Sequence, residues 1–160
     1  MIAACGHWIC DITILPATET GAGNRHANMS APLSPSFDPI AFHARFRPDA
    51  IACVDLASGE RLTYRDFDRR ASQAAVRLGN STGQRIAVVA RNSADVAILS
   101  AAVERAGAIF VPLNWRLAAP ELADILRDCE PALVLAQPEF DSLAREAAAL
   151  AGSSTRIAPL

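Results

Sequence analysis

Lysine is absent from the chain: all 15 basic residues are arginine. That excludes a Schiff-base lysine, a phosphate loop of the G-x-x-x-x-G-K-[ST] kind, and any acyl or adenylyl transfer this polypeptide would carry on a lysine of its own. Cysteine is scarce as well, with four in 160 residues, too few and too widely spaced for a disulfide scaffold. Cys53 and Cys129 fall in apolar segments and read as small buried hydrophobes in a reducing compartment. Cys5, His7, Cys10 and His26 match no structural-zinc spacing, so no metal set is expected. No apolar run approaches the roughly 18 residues of a membrane span. The net charge is −2 and the arginines are scattered. Nucleic-acid binding would concentrate them on one stripe, so no nucleic-acid partner is expected. Together these absences lead us to expect a cytoplasmic location.

What is present is a chain long enough for one domain and a real core. Hydrophobic residues make up 51% and charged residues 20%, which excludes a solvated, disordered chain. Residues 1–36 differ from the rest. Up to about Asn28 they show no sustained period of 2 or 3.6, and Ser30-Ala31-Pro32-Leu33-Ser34-Pro35-Ser36 reads as an extended linker. The segment is expected to be a disordered leader and Pro-rich linker, with Met29 as a candidate start.

From Asp38 the signals become orderly. Asp38-Pro39 opens a short helix covered by Ile40, Phe42, His43 and Phe46 and closed by Pro48. Ala50 to Val54 and Arg61-Leu62 flank the turn Ala57-Ser58-Gly59-Glu60 and form a small hairpin. Thr63-x-x-Asp66 starts a helix with Phe67, Ala71, Ala74 and Leu78 on one face, stopped by Gly79. Arg85 to Ala90, Ala108 to Val111 and Ala132 to Ala136 are near-continuous apolar strands, the pattern of strands covered on both faces. Between and after them lie helices. The first starts at Asn92 or Ser93, carries the stripe Val96, Leu99, Val103 and Ala106, and ends at Gly107. The second starts at Pro120 with Leu122, Ile125, Leu126 and Cys129 on one face, and the third spans Pro138 to Ala151. A last strand is expected near Arg156 to Ala158. Such alternation predicts an α/β fold with a mostly parallel sheet and right-handed crossovers.

A parallel sheet binds ligands at the carboxyl ends of its strands, which points to the loops after residues 90, 111 and 136. Arg91-Asn92-Ser93 has no glycine cradle and no nucleophile elbow, so Asn92 or Ser93 reads as a helix cap. In Pro112-Leu113-Asn114-Trp115-Arg116, Arg116 either holds a phosphate or pairs with a carboxylate such as Glu121. Glu139 suits the positive end of the last helix. Gly79-Asn80-Ser81-Thr82-Gly83 precedes a strand and is a turn, and His43 reads as a packing residue. No acid–base pair or triad emerges from these residues.

Two segments resemble a known family. Leu62-Thr63-Tyr64-Arg65-Asp66-Phe67 is similar to the first core motif of AMP-forming acyl-CoA synthetases and related adenylate-forming ligases. Val103-Glu104-Arg105-Ala106-Gly107-Ala108-Ile109-Phe110-Val111-Pro112-Leu113-Asn114 resembles the second. Gly83 to Val88, Arg91-Asn92-Ser93, Asn114-Trp115-Arg116-Leu117 and Glu121-Leu122 follow the same order and spacing, so the resemblance runs from about Phe42 to Phe140.

The resemblance implies a Rossmann-like sheet with flanking helices and a preceding hairpin. It implies ATP, Mg2+ and CoA for a full-length member, which activates a carboxylic or fatty acid to an acyl-adenylate and passes the acyl group to CoA. The family's phosphate loop ending in Pro-Lys-Gly, its ribose-binding Asp and its adenylation Lys all lie beyond these motifs. Residues 37–160 are therefore expected to be a partial AMP-binding domain that stops before the phosphate loop, with no catalytic residue and no strong binding of ATP or CoA of its own. Arg116 is the residue to which the resemblance assigns a contact, with the CoA phosphates. A fragment of this kind is expected to aggregate or to pair with a carboxy-terminal part. The rival expectation is a non-catalytic α/β domain that holds a small ligand or a partner protein through Trp115 and Arg116.

Overall fold

The computed structural model describes residues 37–160. The expected leader and linker, the Met29 start and the Cys5, His7, Cys10 and His26 set lie outside the described residues.

Helix α1 (Pro39–Phe46) starts where Asp38 Oδ1 accepts a hydrogen bond from Ala41 N at 2.9 Å. Strands β1 (Ile51–Val54) and β2 (Arg61–Thr63) pair antiparallel. Helix α2 (Tyr64–Leu78) is capped by Thr63, whose hydroxyl accepts from Asp66 N at 3.1 Å and donates to the Asp66 carboxylate at 2.8 Å. All four apolar positions read on its face are buried. Then follow β3 (Arg85–Val89), α3 (Ala94–Arg105), β4 (Ile109–Leu113), α4 (Ala119–Cys129) and β5 (Leu133–Ala136). A single 3-10 turn (Pro138–Phe140), α5 (Asp141–Ala151) and β6 (Arg156–Pro159) complete the described chain. The expected Pro138 start of the last helix is thus a tight turn that passes into α5.

The larger sheet has the order β4-β3-β5-β6, and every pairing is parallel. Ala87 is level with Val111 on one side and Val134 on the other. Successive residues face opposite ways. Ala87, Val89, Val134 and Ala136 therefore pack with α4 and α5, while Ile86, Val88, Leu133 and Leu135 pack with α2 and α3. A third cluster of Leu62, Phe67, Ala71, Ala94 and Ile98 joins the hairpin to α2 and α3. No helix among the described residues is long and apolar enough to cross a membrane.

Three expectations need correction. The strand read as fully buried around Ala108 to Val111 is β4, which lies at the open edge of the sheet, runs on through Leu113, and leaves Ile109 47% exposed. An edge position also explains how Pro112, which has no N–H to donate, sits inside a strand. On α3 the buried face is Ala94, Ile98, Leu99, Ala102 and Val103, with Val96 and Ala106 only half-buried. The helix touches two clusters, so its apolar arc is wider than one 3.6-residue stripe. Finally, α1 buries no side chain, and Phe46 is 63% exposed.

Polar ties hold α1, which buries no side chain, and add to the Leu62 contact that holds the hairpin. Arg105, near the end of α3, donates to Asp38 Oδ2 at 2.8 Å, to Asp68 Oδ1 at 2.7 Å and to Ser72 Oγ at 2.8 Å. Partial burial pushes the Asp38 carboxyl up, but the hydrogen bonds from Ala41 and Arg105 and the Arg105 charge outweigh it and hold it below its ordinary range. Asp55 accepts from Ala94 N at 2.9 Å, at the start of α3, and from Ala57 N and Ser58 N at 2.9 Å each. After Ala106, Gly107 has φ +70 and closes α3: its N–H reaches Glu104 O at 2.9 Å while Ala108 N reaches Val103 O at 3.0 Å. A Cβ at this position would also lie 3.0 Å from Thr82 Oγ1.

The hydrogen bond from Ala94 N, followed by those in the Asp55 turn, lowers the Asp55 carboxyl to about 2. A carboxylate depressed in the folded state contributes stability above its unfolded pKa and loses it as pH falls through the folded value. Urea midpoints should therefore fall between about pH 4 and pH 2 by more in the native chain than in Asp55→Asn. Equal acid sensitivity of the two proteins would show that this tie between hairpin and α3 contributes nothing.

Candidate functional site

The carboxyl ends of β3, β4 and β5 lie together because the three strands are parallel and adjacent. The loops leaving β3 and β4 border an open cleft of about 510 Å3, with Val88, Val96 and Phe110 among its apolar lining and Arg91, Trp115 and Arg116 among its polar and aromatic lining.

Cross-links between loops build this cleft. Gln137 N donates to Val89 O at 3.0 Å, and Gln137 Oε1 accepts from Arg91 N at 2.8 Å, so the end of β5 fastens the end of β3. Arg91 Nε donates to Glu139 Oε1 at 2.7 Å. Glu139, read from sequence as a helix-end charge, thus pairs with an arginine from another loop. The Arg91 guanidinium carbon lies 4.3 Å from the Trp115 ring centroid, and that of Arg116 lies 4.2 Å from it. Trp115 stacks on Phe140 with 5.5 Å between centroids and 27° between planes. One indole is the shared contact of two cations.

Arg116 is exposed. Asn114 turns the chain beneath it: Asn114 Oδ1 accepts from Arg116 N at 3.1 Å, and Leu117 N reaches Asn114 O at 3.1 Å. The carboxylate offered by sequence reasoning as its partner is used elsewhere, because Glu121 Oε2 accepts from Ala118 N at 2.8 Å to cap α4. Among the described residues Arg116 forms no ion pair, whereas Arg91 does. The planar fork of Arg116 therefore has donors that no carboxylate of the described residues takes up.

Other candidates take structural places. Ser93 is the cap of α3, accepting from Val96 N at 3.3 Å. His43 packs against the rings of Phe42 and Tyr64, with centroids 5.3 and 4.8 Å away. Cys53 and Cys129 are half-buried where full burial was expected, and desolvation pushes both thiols upward, away from the reactive thiolate form. Among the described residues no three His, Cys, Asp or Glu side chains group as metal ligands. The role of Arg91 was missed in the sequence. Its only signal was its place one residue past an apolar strand, in the same class of loop as Trp115 and Arg116. This arrangement is suited to holding an anion against an aromatic surface.

Comparison with known proteins gives consistent results. A family model described as AMP-binding enzyme matches residues 40–158. A fatty acid–[acyl-carrier-protein] ligase of Streptomyces coeruleorubidus is 33% identical over 62% of this chain and 20% of its own length. A 4-chlorobenzoate–CoA ligase of Arthrobacter sp. is 36% identical over 58% of this chain and 18% of its own. Among solved structures, a Mycobacterium tuberculosis fatty acyl CoA synthetase superposes with a TM-score of 0.68 at 28% identity, covering 76% of this chain and 25% of that one. The chain thus spans about a fifth of the length of the curated relatives it matches.

Replacing Trp115 removes the ring that Arg91, Arg116 and Phe140 share. Trp115→Ala should lower unfolding stability by about 1–3 kcal/mol, from lost half-buried aromatic area and stacking, as read by urea denaturation. A change within error would show that the cluster is a surface ornament.

Proposed function

The chain belongs to the family of AMP-binding enzymes, and from that premise we propose that it is the amino-terminal portion of an AMP-forming acid–CoA ligase. In such an enzyme a carboxylate attacks the α-phosphorus of ATP and releases pyrophosphate. The CoA thiol then attacks the acyl-adenylate, giving the thioester and AMP. The observation that carries this chain's share is the uncommitted Arg116 guanidinium resting on Trp115 at the carboxyl end of the sheet. There it would hold a CoA phosphate at the rim of the open cleft.

The residues present do not fit ATP and its magnesium. The chain has no lysine to neutralise charge at the α-phosphorus, and no ligand cluster for a metal forms among the described residues. No adenylation step is therefore derived from this chain, which by itself is catalytically inactive in our reading. Residues 37–160 are one part of a larger AMP-binding domain, and the open edge of β4 with Ile109 offers the remainder a surface to cover. A cytoplasmic location belongs to the same proposal. Relatives named for a fatty acid and for 4-chlorobenzoate, and for acyl-carrier protein and for CoA, match this stretch alike. The stretch therefore accompanies more than one acyl class.

Two measurements test this. The 160-residue chain should show no carboxylate-dependent exchange of pyrophosphate into ATP. Residues 37–160 placed in the Mycobacterium tuberculosis synthetase, in exchange for its matching stretch, should support thioester formation. Arg116→Ala in that chimera should raise the KM for CoA about tenfold, as expected for loss of one charge-assisted phosphate contact. Exchange by the isolated chain, or a CoA KM that Arg116→Ala leaves unmoved, would contradict the reading.

A further inference from the structure

Arg116 has one neighbour that explains how an exposed, unpaired arginine keeps a defined place, and that neighbour is held by another arginine. Trp115 is half-buried and lies against Phe140, and Arg91 lies over both rings, with its guanidinium carbon 4.3 Å from the Trp115 centroid and 5.7 Å from that of Phe140. Arg91 is itself fixed at two points: its backbone N–H by Gln137 Oε1 at 2.8 Å and its Nε by Glu139 Oε1 at 2.7 Å. Two guanidinium groups about one indole would repel each other if neither were compensated. Glu139 compensates Arg91 and leaves Arg116 charged toward the cleft. The chain of contacts therefore runs from Glu139 to Arg91 to Trp115 to Arg116, and only its last member is free to meet a ligand.

We propose that Arg91, clamped by Glu139, is a positioning residue that fixes Trp115 as the platform from which Arg116 presents its guanidinium to a phosphate of the acyl acceptor. The last clause rests on the CoA reading above; the platform itself does not. Arg91 touches no phosphate in this scheme and acts only through the ring. Lysine at this position would keep the ion pair with Glu139 and lose the flat face that covers the indole.

The chain has two tryptophans and one tyrosine, so Trp8→Phe leaves Trp115 as the sole tryptophan, excited selectively over Tyr64, in the 160-residue chain at concentrations low enough to avoid association. Acrylamide quenching of Trp115 reads its fixation without any ligand, and the KM for CoA of the Mycobacterium tuberculosis chimera carrying the same substitutions reads the acceptor contact. Arg91→Met should raise the quenching constant and weaken CoA binding about two- to fivefold, the range of one cation–π contact at a partly exposed site. Arg91→Lys should fall between Arg91→Met and the native residue. In an Arg116→Ala background, Arg91→Met should have no further effect on CoA binding, because the two act in series. Equal weakening in both backgrounds would overturn the proposal, since a general loss of structure or a direct phosphate contact by Arg91 acts without Arg116. Unchanged quenching in Arg91→Met would overturn it too. If neither substitution moves the KM for CoA in the chimera while Arg91→Met still loosens Trp115, the platform stands and the CoA reading falls.

Discussion

Strands β3 and β5 hide both of their faces, and the rest of the molecule follows from that requirement. Ile86 and Val88 point into one helix layer and Ala87 and Val89 into the other, so helices must cover both faces, and each next parallel strand is reached through one crossover helix on one face or the other. Each return brings the chain to the same starting edge. Every loop at the carboxyl end is then free of the task of covering the core. The cleft, with Arg91, Trp115 and Arg116, is built from this leftover freedom and then stiffened by Gln137 and Glu139 from the neighbouring loop.

Charge is used in two ways on this frame. Where the apolar face is too small to hold an element, a charged group ties it down: Arg105 gathers Asp38, Asp68 and Ser72 from α1 and α2, and Asp55 fastens the hairpin to the start of α3. These ties are partly wet, and each is modest alone. At the cleft the pattern changes. Arg91 is compensated by Glu139 and Arg116 is not, which marks Arg116 as the group with capacity to spare for an anion.

Much of this was legible in the residues. Asp38-Pro39, Thr63-x-x-Asp66 and Asn92 or Ser93 announced three helix starts, and Asp38, Thr63 and Ser93 are the caps. The apolar runs read at Arg85 to Ala90 and Ala132 to Ala136 announced interior parallel strands, which the structure places at Arg85–Val89 and Leu133–Ala136. The edge position of β4 was not legible, because Ile109-Phe110-Val111 is as apolar as an interior strand and only its neighbours decide its exposure. The wide face of α3 was hidden for the same reason: Ile98 is buried by the hairpin side, which sits far away in sequence. At the site, Arg116 was visible through motif resemblance. Arg91 was not, since its meaning depends on Glu139, 48 positions later, and on an indole from a third loop.

Amide hydrogen exchange of the chimera, with and without CoA, addresses the central claim most directly: a rigid, doubly covered sheet carries on its carboxyl-end loop the arginine proposed to meet the acceptor. The account predicts that amides of β3 and β5 exchange slowest, and that CoA adds protection around Asn114 to Leu117 while leaving those strands unchanged. Protection that appears instead on α1 or the hairpin, or β3 amides that exchange as fast as the loops, would contradict it.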